Sequence, residues 1–301
     1  MGYMPVITNL AAPILDHVSK STGDIRYKAI KYSSFADMAE SLRNEQIDVA
    51  FMIAPLSIVL KQQGEDVRVV YIGNRHESTL VARKDLKVTR IEDLIDKTVA
   101  VPMRYSGHNL SILQLIEDSG LNGRIKVVEM NPPDMASALS SGSLDAYYVG
   151  EPFAAKTLKS GDSTLVKYVE DVWPDFMCNL VVVRQSLIDK DPEIVQRFVQ
   201  SAARSGLWSQ KNTQSAIKIA VKYWNQSEDL VKYALTTPEN RIVYNKYVPI
   251  VTEFKYMAEQ MQRFKLVEDS NIEGLVNDQF ARSANVTDIT TVESIISFPD
   301  N

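Results

Sequence analysis

The residues of this chain best suited to chemistry are Ser106-Gly107-His108-Asn109. They follow a short β-rich run and open a helical pattern, so the first-turn backbone amides have no partner within the helix. Such amides, with the partial positive charge of a helix start, can hold a carboxylate, sulfonate, nitrate or phosphate. Gly107 permits close backbone approach, and Arg104 could add charge. The plainer reading is a serine N-cap beside a solvated histidine. Glu151 carries the opposite sign. It could accept hydrogen bonds from an amine or pyrimidine, or brace a hinge through a salt bridge. A bare carboxylate repels an anion, so Arg104 and Glu151 pull the ligand assignment in opposite directions.

The histidines are His17, His76 and His108. A Ser106/His76/Glu151 hydrolase triad is conceivable, but no Gly-x-Ser-x-Gly elbow supports a nucleophile, and no enzyme is expected. His-Glu-x-x-His is absent, and the acidic pairs Glu65-Asp66 and Glu170-Asp171 lack the loop pattern of a calcium site. Neither a metal nor a cofactor is therefore expected. Trp173, Trp208 and Trp224 read as packing residues rather than a ligand cage.

These groups need elements to position them, and residues 134–153 provide the plan. Asp134 follows two prolines and is the expected N-cap; Met135, Ala138 and Leu139 fall on one helical face. Gly142 ends that helix, and 144–149 is a short buried strand closed by Gly150-Glu151-Pro152. The unit also occurs earlier. Asp37, Met38, Ala39, Leu42, Asp48 and Pro55 recur 97 positions later as Asp134, Met135, Ala136, Leu139, Asp145 and Pro152. That is a duplication of one plan in two lobes.

The chain has 301 residues, enough for two domains, and its 45% hydrophobic and 24% charged content suits a soluble globular protein. A net charge of −5 with no long Lys/Arg run argues against nucleic acid. No apolar run approaches the roughly 18 residues of a membrane span. The single cysteine, Cys178, excludes an internal disulfide and a multi-thiolate metal site. Gly2-Tyr3-Met4-Pro5 reads as the end of a first strand with almost no strand before it, which leaves two expectations: a removed leader peptide and part of that strand, or a genuine cytoplasmic start.

Strands and helices alternate in the pattern of α/β sheets covered on both faces. A first helix is capped by Thr8 or Asn9 and carries Pro13 in its early turns. Strands are expected at 25–32, 47–53, 67–72, 79–83, 99–101, 125–128, 144–149, 165–168 and 179–183. Helices are expected at 91–95 and 106–120, and in the carboxyl-terminal part near 192–210, 213–224, 227–235, 246–264 and 272–280. Residues after about 284 suggest a loose tail.

Several motifs in this order resemble the nitrate/sulfonate/taurine/bicarbonate-type solute-binding proteins of ABC importers, a group that includes binders of thiamine-pyrimidine precursors. They are Tyr3-Met4-Pro5, Ile47-Asp48-Val49-Ala50 before Ala54-Pro55, Val101-Pro102-Met103-Arg104-Tyr105-Ser106, Asn131-Pro132-Pro133-Asp134-Met135 and Val149-Gly150-Glu151-Pro152-Phe153. The resemblance covers residues 2 to about 280. It implies a two-lobed periplasmic-binding-protein fold of type II, each lobe a mixed sheet flanked by helices, with a helical carboxyl-terminal extension. Lobe one would comprise 2–82 and 178–284, lobe two 85–175, with 285–301 as tail and hinges at 82–85 and 177–180. It further implies binding of a small, polar, anionic solute in an interlobe cleft by hinge closure. The partner would be the membrane permease of an importer, and a monomeric protein is expected in the periplasm or anchored outside the cell. By position, the ligand would meet Tyr3, Met4, Ser34, Phe35, Ala54, Pro55, His76, Ser106, Gly107, His108, Asn109, Gly150 and Glu151. A sensor domain of a larger receptor shares these features. The pyrimidine-synthase enzymes of this fold resemble it less, because they carry a cysteine cluster.

Overall fold

The short apolar runs of the sequence pair as strands of two five-stranded mixed sheets in a computed structural model that describes residues 1–297. In chain order the strands are β1 (Gly2–Tyr3), β2 (Ile30–Lys31), β3 (Val49–Ile53), β4 (Val67–Ile72), β5 (Ser78–Arg83), β6 (Thr98–Val101), β7 (Lys126–Glu129), β8 (Ala146–Gly150), β9 (Ser163–Tyr168) and β10 (Asn179–Arg184). The first sheet has the order β2-β1-β3-β10-β4 and the second β7-β6-β8-β5-β9. Position by position the two orders are equivalent, and the fourth strand of each, β10 and β5, runs antiparallel to both its neighbours.

The repeat holds at the level of elements. The helix Phe35–Arg43 and strand β3 recur, 97 residues on, as the helix Pro132–Ser140 and strand β8, with the same bounds. Ser34 caps the first helix by accepting from the Asp37 amide. Pro132 and Pro133 start the second, whose N-cap is Asn131 without a side-chain bond. Asp134 thus lies in the first turn rather than at the cap, where its charge still suits the helix start.

The sheet change falls earlier than the sequence suggested. β5 begins at Ser78 and already belongs to the second sheet, so the first crossing is the stretch 73–77, not 82–85. The return crossing ends at Asn179, the first residue of β10. The two crossings run side by side, with Arg75 bridged to Met177 and the His76 amide donating to the Phe176 carbonyl.

Other departures have local causes. The expected strand 25–32 shrinks to Ile30–Lys31, because β1 offers it only two residues to pair with. The preceding residues bond instead to Asp16 and Ser19. The first α-helix is Ala11–Val18 with no side-chain cap, since the Asn9 side chain is engaged elsewhere. The expected helix 91–95 is a 3-10 turn, Ile91–Leu94. Near 272–280 the chain forms turns at Asn271 and Gly274, then covers the open edge of β4 through Leu275 and Asn277. Only Gln279–Arg282 is helical there.

The carboxyl-terminal helices Pro192–Lys211 and Thr213–Trp224 pack on the first sheet side, burying Phe198, Trp208 and Trp224. The helix Glu228–Thr236 reaches the second lobe, where Asp229 pairs with Lys159 at 2.5 Å. The tail is not loose as far as residue 297. Arg204, buried, donates to the carbonyls of Asn285, Thr287 and Ser294, and Ile295 and Ile296 are buried. Residues 298–301 of the expected tail lie outside the described residues. Among the described residues no helix is long and apolar enough to cross a membrane.

Candidate functional site

Where the crossings meet both sheets, buried polar side chains form one hydrogen-bonded chain from lobe to lobe. Asn9 donates to the Met4 carbonyl at 3.0 Å and accepts from the Asn179 amide group at 2.9 Å. The Asn179 side-chain oxygen accepts from the Cys178 thiol at 3.2 Å. That sulfur lies 3.8 Å from His108 Nε2, which is 2.8 Å from the Ser78 hydroxyl. The Ser78 hydroxyl donates to Glu77 Oε1 at 3.4 Å, and Glu77 Oε2 accepts the Glu151 backbone amide at 2.7 Å. Thr8 lies against the same thiol.

The local backbone is shaped to build this. His76 and Glu77 are consecutive residues with φ of 73° and 65°, a left-handed conformation that side chains other than glycine adopt at a cost of order 1 kcal/mol. The twist breaks strand alternation. It directs the Glu77 carboxylate at Gly150, where an added Cβ would lie 2.8 Å from Oε2. His76 turns the other way, its Nδ1 3.1 Å from the Arg241 carbonyl. Gly107 is needed for contact: a methyl there would meet the Phe176 ring at 2.7 Å. Two helix starts flank the return crossing. Gly107 opens the helix Gly107–Asp118 against Phe176, while Ala54, which opens Ala54–Gln62, donates its amide to the Cys178 carbonyl at 3.0 Å.

The expected ligand residues separate into two groups. Ser106, Gly107, His108, Gly150, Glu151 and the backbones of Met4 and Ala54 all lie at the junction. Pro55 follows Ala54 in the first turn of its helix. Ser106 caps its helix on the Asn109 amide, and Asn109 turns back to the Arg104 carbonyl at 2.8 Å. Glu151 is a brace. Its carboxylate accepts from Thr79 at 2.8 Å and the Ala155 amide at 2.7 Å, closing the turn after a cis Glu151-Pro152 bond. The Tyr3 hydroxyl points away, toward the Tyr223 carbonyl among the helices. Ser34 is a helix cap, and Phe35 is core. The residues that sequence reasoning missed are Thr8, Asn9, Asn74, Glu77, Ser78, Cys178, Asn179 and Arg241. Their one signal was polarity: Thr8-Asn9 and Asn179 interrupt apolar runs, and Asn74, Glu77 and Ser78 belong to one polar run between two apolar strands, while Arg241 gave none.

Arg241 fastens the junction from the carboxyl-terminal part. Buried, it holds Glu170 through Nε at 2.8 Å and Nη2 at 3.2 Å, the Thr79 hydroxyl at 3.0 Å and the Ser78 carbonyl, and covers the Tyr168 ring at 4.2 Å. Arg75 does likewise outside the sheets, binding both oxygens of Glu253 at 2.8 and 2.9 Å.

Burial sets the protonation of the junction. It pushes Glu77 up to about 8, against weaker lowering by the Cys178 thiol and the Glu151 amide. It also raises Glu151 and Cys178, and holds His108 down to about 3. The His108 ring is therefore neutral, edge-on to Tyr148 and Phe176 with centroids 5.7 and 5.8 Å away. A two-sided pH dependence follows. Folded His108 binds its proton less readily than unfolded, so stability falls as pH drops from about 6.5 toward about 3. Folded Glu77 holds its proton longer, so its contribution is present below about 4.5 and is lost as pH rises toward about 8. Each of these two groups contributes a slope of about 1.4 kcal/mol per pH unit, and the two offset between about 4.5 and 6.5. The raised Glu151 adds to the alkaline limb in the same direction as Glu77. Urea titrations across pH should show Glu77→Gln flattening the alkaline limb alone. An unchanged limb would remove Glu77 as its source.

Comparison with known proteins gives a family model described as the NMT1-like family, matching residues 7–223. The taurine-binding periplasmic protein of Escherichia coli (strain K12) is 27% identical over 176 residues, 57% of this chain and 54% of its own length. The alignment thus spans about half of that relative. A putative aliphatic sulfonates-binding protein of Bacillus subtilis (strain 168) is 22% identical over 270 residues, 86% of this chain and 79% of that one. Among solved structures, the ligand-binding component of an ABC-type import system from Staphylococcus aureus has a TM-score of 0.85 at 22% identity, covering 95% of this chain and 98% of that one. The nitrate-binding protein NrtA of Synechocystis PCC 6803 has a TM-score of 0.84 at 15% identity, covering 94% and 86%. At these identities the structures establish the shared fold.

Proposed function

The chain belongs to the NMT1-like family, and from that premise we propose that it is the solute-binding component of an ABC importer. It captures a small polar solute with an anionic group between its lobes and presents it to a membrane permease. The observation that carries this reading is the polar chain from Met4 and Asn9 in one lobe to His108 and Glu151 in the other. A buried network of this kind is stable only when its members are satisfied together, so its integrity is coupled to closure. The helix start at Gly107 favours the anionic group with its dipole and with the amides that Ser106 leaves uncapped.

The solute leaves unchanged. Cys178 and His108 are the residues nearest to a nucleophile and base, yet burial keeps the first a thiol and makes the second a weak proton acceptor. Work outside the cytoplasmic membrane, with the chain acting as a monomer, fits the relative named as a periplasmic protein. The bending segments are then 73–77 and the return crossing that ends at Asn179.

A thermal-shift screen of nitrate, bicarbonate, sulfonates, carboxylates and pyrimidines tests the reading. A solute at a hundredfold excess over its Kd stabilises the folded state by about 2.7 kcal/mol, or about 5 °C in Tm for a chain of this size. At least one clear shift is expected, with the same solute recovered intact by mass spectrometry. A shift accompanied by product would replace binding with catalysis.

A further inference from the structure

Resting on that reading, we propose that the anionic solute is captured together with a proton, which the Glu77 carboxyl takes from water as the lobes close and returns as they open. The argument is the enclosure around this carboxyl. Glu77 ends the first crossing and is 0% exposed. Gly150 leaves no space beside its Oε2, and the Glu151 amide donates both to the Glu77 main-chain carbonyl, at 3.0 Å, and to Oε2, at 2.7 Å. The carbonyl of the same Glu151 accepts the Ile7 amide of the first lobe at 2.9 Å. One residue of the second lobe is thus held by the first lobe on its carbonyl and by Glu77 on its amide. Cys178, on the return crossing, faces the same carboxyl. Separating the lobes breaks the Ile7–Glu151 bond and admits water to this enclosure.

No cation compensates a charge there. Arg241 acts on Glu77 and Glu151 from a distance, but its ion pair is with Glu170, and Arg75 holds Glu253. The other titratable neighbours are Glu151, spent on Thr79 and Ala155, the Cys178 thiol, and His108, bonded to the Ser78 hydroxyl. None of them is positive in the closed form. A carboxylate sealed in without a partner is costly, so the closed molecule holds Glu77 as the acid, and water lets it ionise on opening. A solute anion arriving beside an ionised Glu77 would place two negative charges in one closed junction. With the proton, the pair adds no net charge. The proton also removes the conflict between a helix start that attracts an anion and carboxyls that repel it.

His108 works in the opposite sense: closure expels its proton below about pH 6.5, which leaves about 6.5 to 8 as the window for Glu77. Affinity should fall there by about tenfold per pH unit, and Glu151 adds in the same direction. Isothermal calorimetry with ethanesulfonate and with nitrate tests this, because neither anion carries a proton of its own in that window. Two buffers of different ionisation enthalpy count the protons. Each anion that binds should take up about one proton or more, and Glu77→Gln should lose most of the uptake and of the pH slope. A merely structural Glu77 would weaken binding equally at every pH. Should that variant fail to fold, Glu151→Gln assigns the proton by elimination: uptake that survives there belongs to Glu77. Binding without uptake and without a slope overturns the co-capture and leaves the anion reading standing. Silence of both anions at every pH overturns that reading and the proposal with it. Uptake unchanged in Glu77→Gln, or abolished in Glu151→Gln, overturns the assignment to Glu77.

Discussion

Replacing Arg241 by alanine should destabilise the protein by about 3 kcal/mol or more and loosen the closed arrangement of the lobes. Truncation removes the fork that holds both Glu170 oxygens, the Thr79 hydroxyl and the Ser78 carbonyl, and uncovers Tyr168. Breaking a buried ion pair from one side typically costs about 3–5 kcal/mol, because the remaining charge stays desolvated. The Glu170 side chain is 22% exposed, so water recovers part of this and the lower end applies. Lysine at this position keeps the charge but loses the planar fork, and should restore less than half of the loss. Equilibrium urea unfolding measures both. A cost below about 1 kcal/mol for the alanine variant would show that the fork is a rim contact with no hold on the junction.

Gly73→Ala should be at least as damaging, by a different route. A methyl built on Gly73 falls far inside van der Waals contact with the Thr8 carbonyl oxygen, an atom of main chain that no rotamer can move. Overpacking costs about 1–3 kcal/mol where side chains can yield, and more where backbone must shift. The shift would carry Thr8 and Asn9 out of the junction, so ligand binding should be lost together with about 3 kcal/mol of stability. Gly64→Ala is the control. It has open space around it but a φ of +88°, so it tests conformational strain of about 1 kcal/mol without any clash. If the two variants unfold at the same urea concentration, close approach at Gly73 is not what holds the first crossing.

The large plan was legible in the sequence because duplication writes it twice. Two helix–strand units at one offset of 97 residues predicted two lobes, and the elements recur with the same bounds. The helix start at Ser106 was legible through its capping pattern. Most of the junction was not. Asn9 pairs with Asn179 and Asn74 with the Ile7 carbonyl, partners far away in the chain, so no local pattern marks them. Glu151 could be placed at a strand end, but its role depended on Thr79 and Ala155. Arg241 lies in an irregular stretch, and nothing near it in sequence names Glu170 as its partner. The sheet change was misplaced by several residues because the short apolar run Leu80-Val81-Ala82 suits either sheet, and periodicity carries no sheet label.

The strand orders carry a consequence for how the molecule holds together. β5 follows the first four strands in the chain but is the inner strand between β8 and β9; β10 follows the next four but lies between β3 and β4. The two halves of the duplication have thus traded their last strands, like two hands clasped by one finger each. Neither half-chain can complete its own sheet, and neither sheet can be finished before the other half has been made. Two bodies that look separable are interlocked, so thermal or mechanical loading should meet one cooperative barrier rather than two. The only freedom left cheap by this exchange is bending of the paired crossings at Arg75 and Met177, a motion that opens the junction without unthreading either sheet.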